Sequence, residues 1–205
     1  ASAKTLNLIG SKKALPNLVE AFKTDQDPVV QGSSAGAMAT IGTPAIDDLL
    51  KILVEPGCTA FQVGLINLAL SFIGSKAPDA FDQATQSDNV EIRIAAITVL
   101  AEQIQATTNN SAKSALLKAL SDDASEVRAE AATMAGKTLE PEDASNQLCM
   151  MLKDESDQVR KNTSLALMKM EATNAIDPIK DAIKAEKDEQ VKAVMTVAVN
   201  VLAKS

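Results

Sequence analysis

Six times in 205 residues, an anchor residue opens a run of small and apolar side chains, and the anchors recur at near-constant spacing. Val30, Gln62, Ile92, Val127, Val159 and Val191 stand 32, 30, 35, 32 and 32 residues apart. The long interval carries an insert, ATTNN, at residues 106–110. A second marker keeps time with the first: Ile9-Gly10, Ile41-Gly42 and Ile73-Gly74 recur every 32 residues. A fixed period of this length marks a repeat array, in which each unit buries its apolar face against its neighbours alone.

Inside one period, KALPNLVEAF, PAIDDLLKIL and NAIDPIKDAIK space their apolar residues as one face of a helix. A turn bearing Asp follows (Asp25, Asp27, Asp88, Asp122, Asp154, Asp188), and a second helix starts near the anchor. The marker glycines are expected to end helical runs. Alternating apolar and polar runs, the sign of strands, are absent. The expected fold is all-α: a right-handed α-solenoid, or superhelix, of about six helix-turn-helix repeats. One such array spans 1–205, with helix pairs near 11–42, 43–74, 75–105, 111–138, 141–171 and 174–205. Residues 1–10 read as the tail of a second helix that begins upstream of this sequence.

Composition narrows the function. There is no histidine, which removes His-based acid–base catalysis, Ser-His and Cys-His nucleophile pairs, and His-ligated metals. Aromatic residues are four Phe, with no Trp or Tyr to stack a planar ligand. A net charge of −7 argues against nucleic acid or an anionic membrane as the main partner. No apolar run approaches the ~20 residues of a membrane span. Cys58 and Cys149 form no disulfide framework, which points to a reducing, cytoplasmic compartment. Cys58, in VEPGCTAF, is expected as an exposed loop thiol, with a nucleophile as the alternative; Cys149, in QLCMMLK, is expected to pack as a small hydrophobe. No catalytic set, metal site or cofactor is expected.

The chain has only three arginines among its 20 basic residues, and each directly follows an anchor. Arg93, Arg128 and Arg160 occupy this place in successive repeats, and Lys192 takes it in the last. A planar guanidinium pairs bidentately with carboxylates and carbonyls, which an ammonium does not. Two readings follow: a structural ladder joining neighbouring repeats, or a clamp for an anionic ligand. The second helices are also expected to line the concave face. There Leu65, Leu68 and Phe72, flanked by Ser33, Gly36 and Thr40 and by Ile94 and Thr98, make either core or a docking patch for a partner.

The pattern V-R-x-x-A-A-x-A-L-G-x-I-G, preceded by Asp and followed by A-I-x-P-L-x-x-A-L, resembles HEAT repeats. More narrowly, it resembles the short HEAT-like repeats of the phycobilisome (bilin) lyase family. Val30–Leu53, Ile92–Ala101, Val127–Gly136 and Val159–Met168 carry the likeness. The resemblance implies proteins that attach, isomerise or remove bilins on phycobiliproteins, commonly as pairs of solenoids, together with adaptors of no known chemistry. The expected function is a non-catalytic interaction scaffold of this cyanobacterial family. Its partner would be a second solenoid subunit or a phycobiliprotein. The alternative is a subunit of a heterodimeric phycobilin lyase or of a chromophore-detaching relative, with bilin as its cofactor. The last helix, VKAVMTVAVNVL, would expose Val194, Val197 and Val201 if nothing follows, so further chain, a partner or a second copy in a homo-oligomer is expected to cover them.

Overall fold

The computed structural model describes residues 12–77, 80–81, 83–106 and 110–204. Among them there is no strand; the fold is all-α, built of paired helices. The chain divides into two compact units, Ala1–Val99 and Leu100–Ser205.

In the first unit, α1 (Leu15–Thr24) packs on α2 (Pro28–Ile41), and α3 (Ile46–Val54) packs on α4 (Ala60–Lys76). α2 lies beside α4. The first helices are amphipathic: α3 buries Ile46, Leu49, Leu50 and Ile52, with Asp47 and Asp48 in its first turn and Lys51 in its last, each charge opposing the nearer end of the helix dipole. The second helices are apolar over more of their girth because each has neighbours on several sides. α2 buries Ala35, Ala37, Met38 and Ala39, while Phe22 of α1 is fully enclosed. Asp27 caps α2, its Oδ1 accepting the Val29 N–H at 2.8 Å. The anchor Gln62, polar where its counterparts are aliphatic, is 6% exposed. It closes a capping box with Thr59 and donates through Nε2 to the Phe22 carbonyl at 3.1 Å, so its side chain is satisfied inside.

α5 (Val90–Ala106) is the second helix of the third repeat and contains the boundary between the units. An α-helix was expected ahead of it, yet the described residues there hold a 3-10 turn, Ala84–Gln86. Among the described residues of this stretch, Phe81 and Ala84 are the buried apolar ones.

The second unit pairs α6 (Asn110–Ala119) with α7 (Ser125–Thr138), α8 (Pro141–Met151) with α9 (Asp157–Lys169), and α10 (Ile176–Ala185) with α11 (Glu189–Leu202). α9 packs between α7 and α11. The α7–α9 approach is as close as it is because Gly136 has no side chain: a Cβ there would lie 2.5 Å from Ala166 Cα. Asn162 of α9 adds hydrogen bonds to the Ala129 carbonyl at 3.1 Å and the Thr133 hydroxyl at 3.0 Å.

The marker glycines divide. Gly42 ends α2 with φ 85°, its N–H bonded to the Met38 carbonyl. Gly74 ends nothing: α4 runs on to Lys76 with Gly74 buried, and the Ala77 N–H bonds the Ile73 carbonyl. A helix-interior glycine costs about 1 kcal/mol, less than the hydrogen bonds gained by continuing. Gly10 and the tail 1–10 lie outside the described residues.

Candidate functional site

Two constellations merit attention, one ionic and one apolar. The ionic one begins in the turns. Asp122 and Asp154 each accept the N–H two residues on, from Ala124 and Ser156, at 2.9 Å. Glu186 does the same for Asp188, also at 2.9 Å, as does Asp25 for Asp27. Six residues after each turn residue comes the position that follows the anchor. Its side chain reaches back to the turn residue's carbonyl: Gln31 to Asp25 at 2.8 Å, Arg93 to Ser87 at 2.7 Å, Arg128 to Asp122 at 2.9 Å, and Arg160 to Asp154 at 3.0 Å. Gln31 was not singled out from sequence. Its place after the anchor Val30 matches that of the arginines, but an uncharged side chain breaks the basic pattern that marks the position in later repeats.

The outer edge of the guanidinium then joins the next repeat. Arg128 Nε and Nη2 donate to Asp154 at 2.8 and 2.9 Å. Arg160 Nε and Nη2 donate to Glu186 at 2.6 and 2.8 Å. Both acids lie 26 residues beyond their arginines. With second carbonyls from Asp123 and Glu155, each of these two arginines uses four of its five N–H donors. The hydrogen bond from Arg160 holds the Glu186 carboxyl at a pKa of about 2 against the burial that would raise it, and the N–H groups of Asp188 and Lys187 assist. Burial pushes Asp154 up, but the Arg128 hydrogen bond, the Ser156 N–H and the charges of Arg128 and Arg160 outweigh it, so Asp154 sits below its ordinary value. Lys192 meets Glu189 of its own helix at 3.9 Å.

The apolar constellation lies between α2 and α4. A cleft of about 300 Å³ is floored by Gly32, Ala35, Gly36 and Ala39 of α2 and walled by Leu65, Leu68 and Phe72 of α4. The spacing i, i+3, i+4, i+7 on α2 puts its four small residues on one face. Leu68 is 70% exposed and Phe72 44% exposed, so neither is core. Lys76 Nζ stands 4.0 Å from the Phe72 ring centroid. Ile94 and Thr98 are half-buried on α5 and do not line this cleft, and Ala95 beside them is buried. Rotation of α5 turns that face inward, a placement that periodicity alone leaves free. In the second unit, Val197 and Val201 of α11 are exposed and Val194 is half-buried.

The thiols are not poised for attack. Cys58 is half-buried rather than exposed, tucked into the turn after α3, and burial together with the charge of Glu55 pushes its thiol up. Burial does the same at Cys149. Among the described residues no group of three Cys, Asp or Glu is placed to hold a metal. No helix among them is long and apolar enough to cross a membrane.

A family model for HEAT repeats matches residues 77–164 and 114–200. This chain is a HEAT-repeat protein. It is 63% identical over 204 residues to bilin biosynthesis protein MpeU of Synechococcus sp. (strain WH8020), a match covering 100% of this chain and 69% of that protein. The two therefore belong to one family of HEAT-repeat proteins. Among solved structures, a designed armadillo-repeat protein in complex with the peptide (KR)4 superimposes with a TM-score of 0.51 at 19% identity, over 94% of this chain and 100% of that one. A chain from the complex of CpcE and CpcF of phycocyanin lyase from Nostoc sp. PCC7120 aligns over 92% of this chain and 99% of its own length, with a TM-score of 0.35 at 17% identity.

Proposed function

We propose that this HEAT-repeat chain serves bilin attachment to phycobiliproteins as a lyase-type subunit that binds and presents, and does not supply a nucleophile. The 63% identity to a bilin biosynthesis protein across the whole chain carries the reading. The raised thiols of Cys58 and Cys149 support a binding role over a covalent one. Their being free cysteines fits a reducing, cytoplasmic setting. Under this reading, the guanidinium row braces neighbouring repeats and clamps no ligand, since Arg128 and Arg160 have most of their donors engaged within the chain. The proposed partners are a phycobiliprotein subunit and a second solenoid subunit, and bilin is the small molecule handled.

The test mixes the purified chain with an apo-phycobiliprotein subunit and free bilin, with and without the second subunit. Complexes are followed by size exclusion and pigment attachment by visible absorbance. The expected outcome is a complex with the apo-subunit and faster covalent colouring when the chain is present. A complex that never hastens colouring would favour a pure adaptor. Neither complex nor colouring would reject the reading.

A further inference from the structure

α2 and α4 carry one charged residue between them, Lys76, in a chain of net charge −7. They also hold four of the eight large apolar side chains that are exposed among the described residues: Val29, Phe61, Leu68 and Phe72. Steps of 4, 3 and 4 residues along α4 align Phe61, Leu65, Leu68 and Phe72 as one ridge. Beside the ridge, the cleft on α2 is a slot with open space: a Cβ built on Gly32 meets no atom within 4 Å. This face thus has a knob and a hole side by side, and both are uncharged. A surface of that kind fits a copy of itself turned about a two-fold axis.

We infer that two copies of this chain associate through this face, each α4 ridge lying antiparallel in the other copy's slot, about a two-fold axis near Leu68. The inference is independent of the bilin role proposed above. Two chains of charge −7 repel one another, and the repulsion is weakest where neither brings a carboxylate into the contact. An occupant that fills the slot alone leaves the ridge in water, whereas a second copy covers both. The ends of the helices match as well. Gln62 at the start of α4 donates to the Phe22 carbonyl, just before the turn into α2, so the two helices start on the same side. Lys76 lies eight residues past Leu68, ~12 Å along the axis. In an antiparallel copy that distance leads back to the level of Ala60. The equivalence of the anchors Gln62 and Val30 sets Ala60 level with Pro28, next to the exposed Asp27 that caps α2. Each Lys76 therefore meets the other copy's Asp27, once on either side of the axis.

The test follows the full chain over a concentration series by sedimentation equilibrium and light scattering. The expected result is a reversible monomer–dimer equilibrium that stops at two chains, because a two-fold contact closes on itself. Leu68→Glu, at a position 70% exposed, is expected to keep native helicity and to remain monomeric. Gly32→Leu fills the slot, and is expected to weaken association about tenfold with the melting temperature unchanged or higher. Val197→Glu, at an exposed position of α11, is expected to leave the dimer intact. Lys76→Gln and Asp27→Asn, which still caps α2, are each expected to weaken association about threefold, and together no more than either alone. Additive losses from that pair would overturn the antiparallel register. A monomer at every concentration would overturn the inference. So would a dimer that tolerates Leu68→Glu and Gly32→Leu, or one that Val197→Glu dissolves, since the contact would then lie elsewhere. A monomer that instead binds an apo-phycobiliprotein subunit through Leu68 would assign the face to that partner, overturning the inference while the bilin role stands.

Discussion

The position just after the anchor of each second helix is Gln31, Val63 or Arg93 in the first unit, and Arg128, Arg160 or Lys192 in the second. All of the chain's phenylalanines lie in the first unit, and two of them, Phe61 and Phe72, are more than 40% exposed. The second unit has none and instead buries two bidentate ion pairs, Arg128–Asp154 and Arg160–Glu186. One repeat design therefore serves two ends. Where carboxylate and guanidinium join successive turns, register is fixed by directional bonds. Where Gln31 makes only the backward bond to its own turn, the neighbouring helices are free to carry small residues and leave a cleft. The turn geometry common to both shows that the backward bond belongs to the repeat itself and the forward ion pair is an addition.

The sharpest way to break this comparison is to cut the forward pair. Arg160→Ala strands Glu186, whose side chain is 3% exposed, and is expected to cost about 3–5 kcal/mol in urea unfolding followed by far-ultraviolet circular dichroism. Gln31→Ala, at the equivalent place in the first unit, is expected to cost about 1 kcal/mol or less. Equal losses would mean that the ion pairs do not distinguish the units.

Acid provides a second probe. The Glu186 carboxyl falls from 4.5 to about 2 on folding, so its contribution is fully present above pH 4.5 and is lost as pH drops toward 2. The expected loss is roughly 3 kcal/mol, from about 1.4 kcal/mol per pKa unit. In the Glu186→Gln variant, the melting temperature should depend less on pH across that window, and an unchanged slope would place the sensitivity elsewhere.

The close approach of α7 to α9 gives a smaller effect. Gly136→Ala drives a methyl against the Ala166 backbone and is expected to destabilise by about 1–3 kcal/mol. The smallest change runs in the other direction. Thr163 Oγ1 is buried with no hydrogen-bond partner, so Thr163→Val should be neutral or stabilising by up to about 1 kcal/mol. A clear loss in calorimetry would show that the hydroxyl has a partner after all.

Much of this was legible in the sequence. The period located the paired helices, since an apolar face at fixed spacing is a property of the chain itself, and it put Arg93, Arg128, Arg160 and Lys192 at equivalent places. The exceptions share a cause. The turn Ala84–Gln86 replaced an α-helix, Gly74 sat inside one, and Cys58 was partly enclosed, because neighbouring segments set burial and periodicity does not report it.

The sequence by itself determined an all-α repeat with an arginine locked to the start of particular second helices, because local spacing and the turn chemistry six residues earlier decide both. Tertiary structure alone decided that Glu186, and not the nearby Asp188, receives Arg160, and that Gly32 faces an open slot beside Leu68 and Phe72. Those outcomes depend on the rotation and separation of helices that are distant along the chain, and ångström-scale changes in either select a different partner.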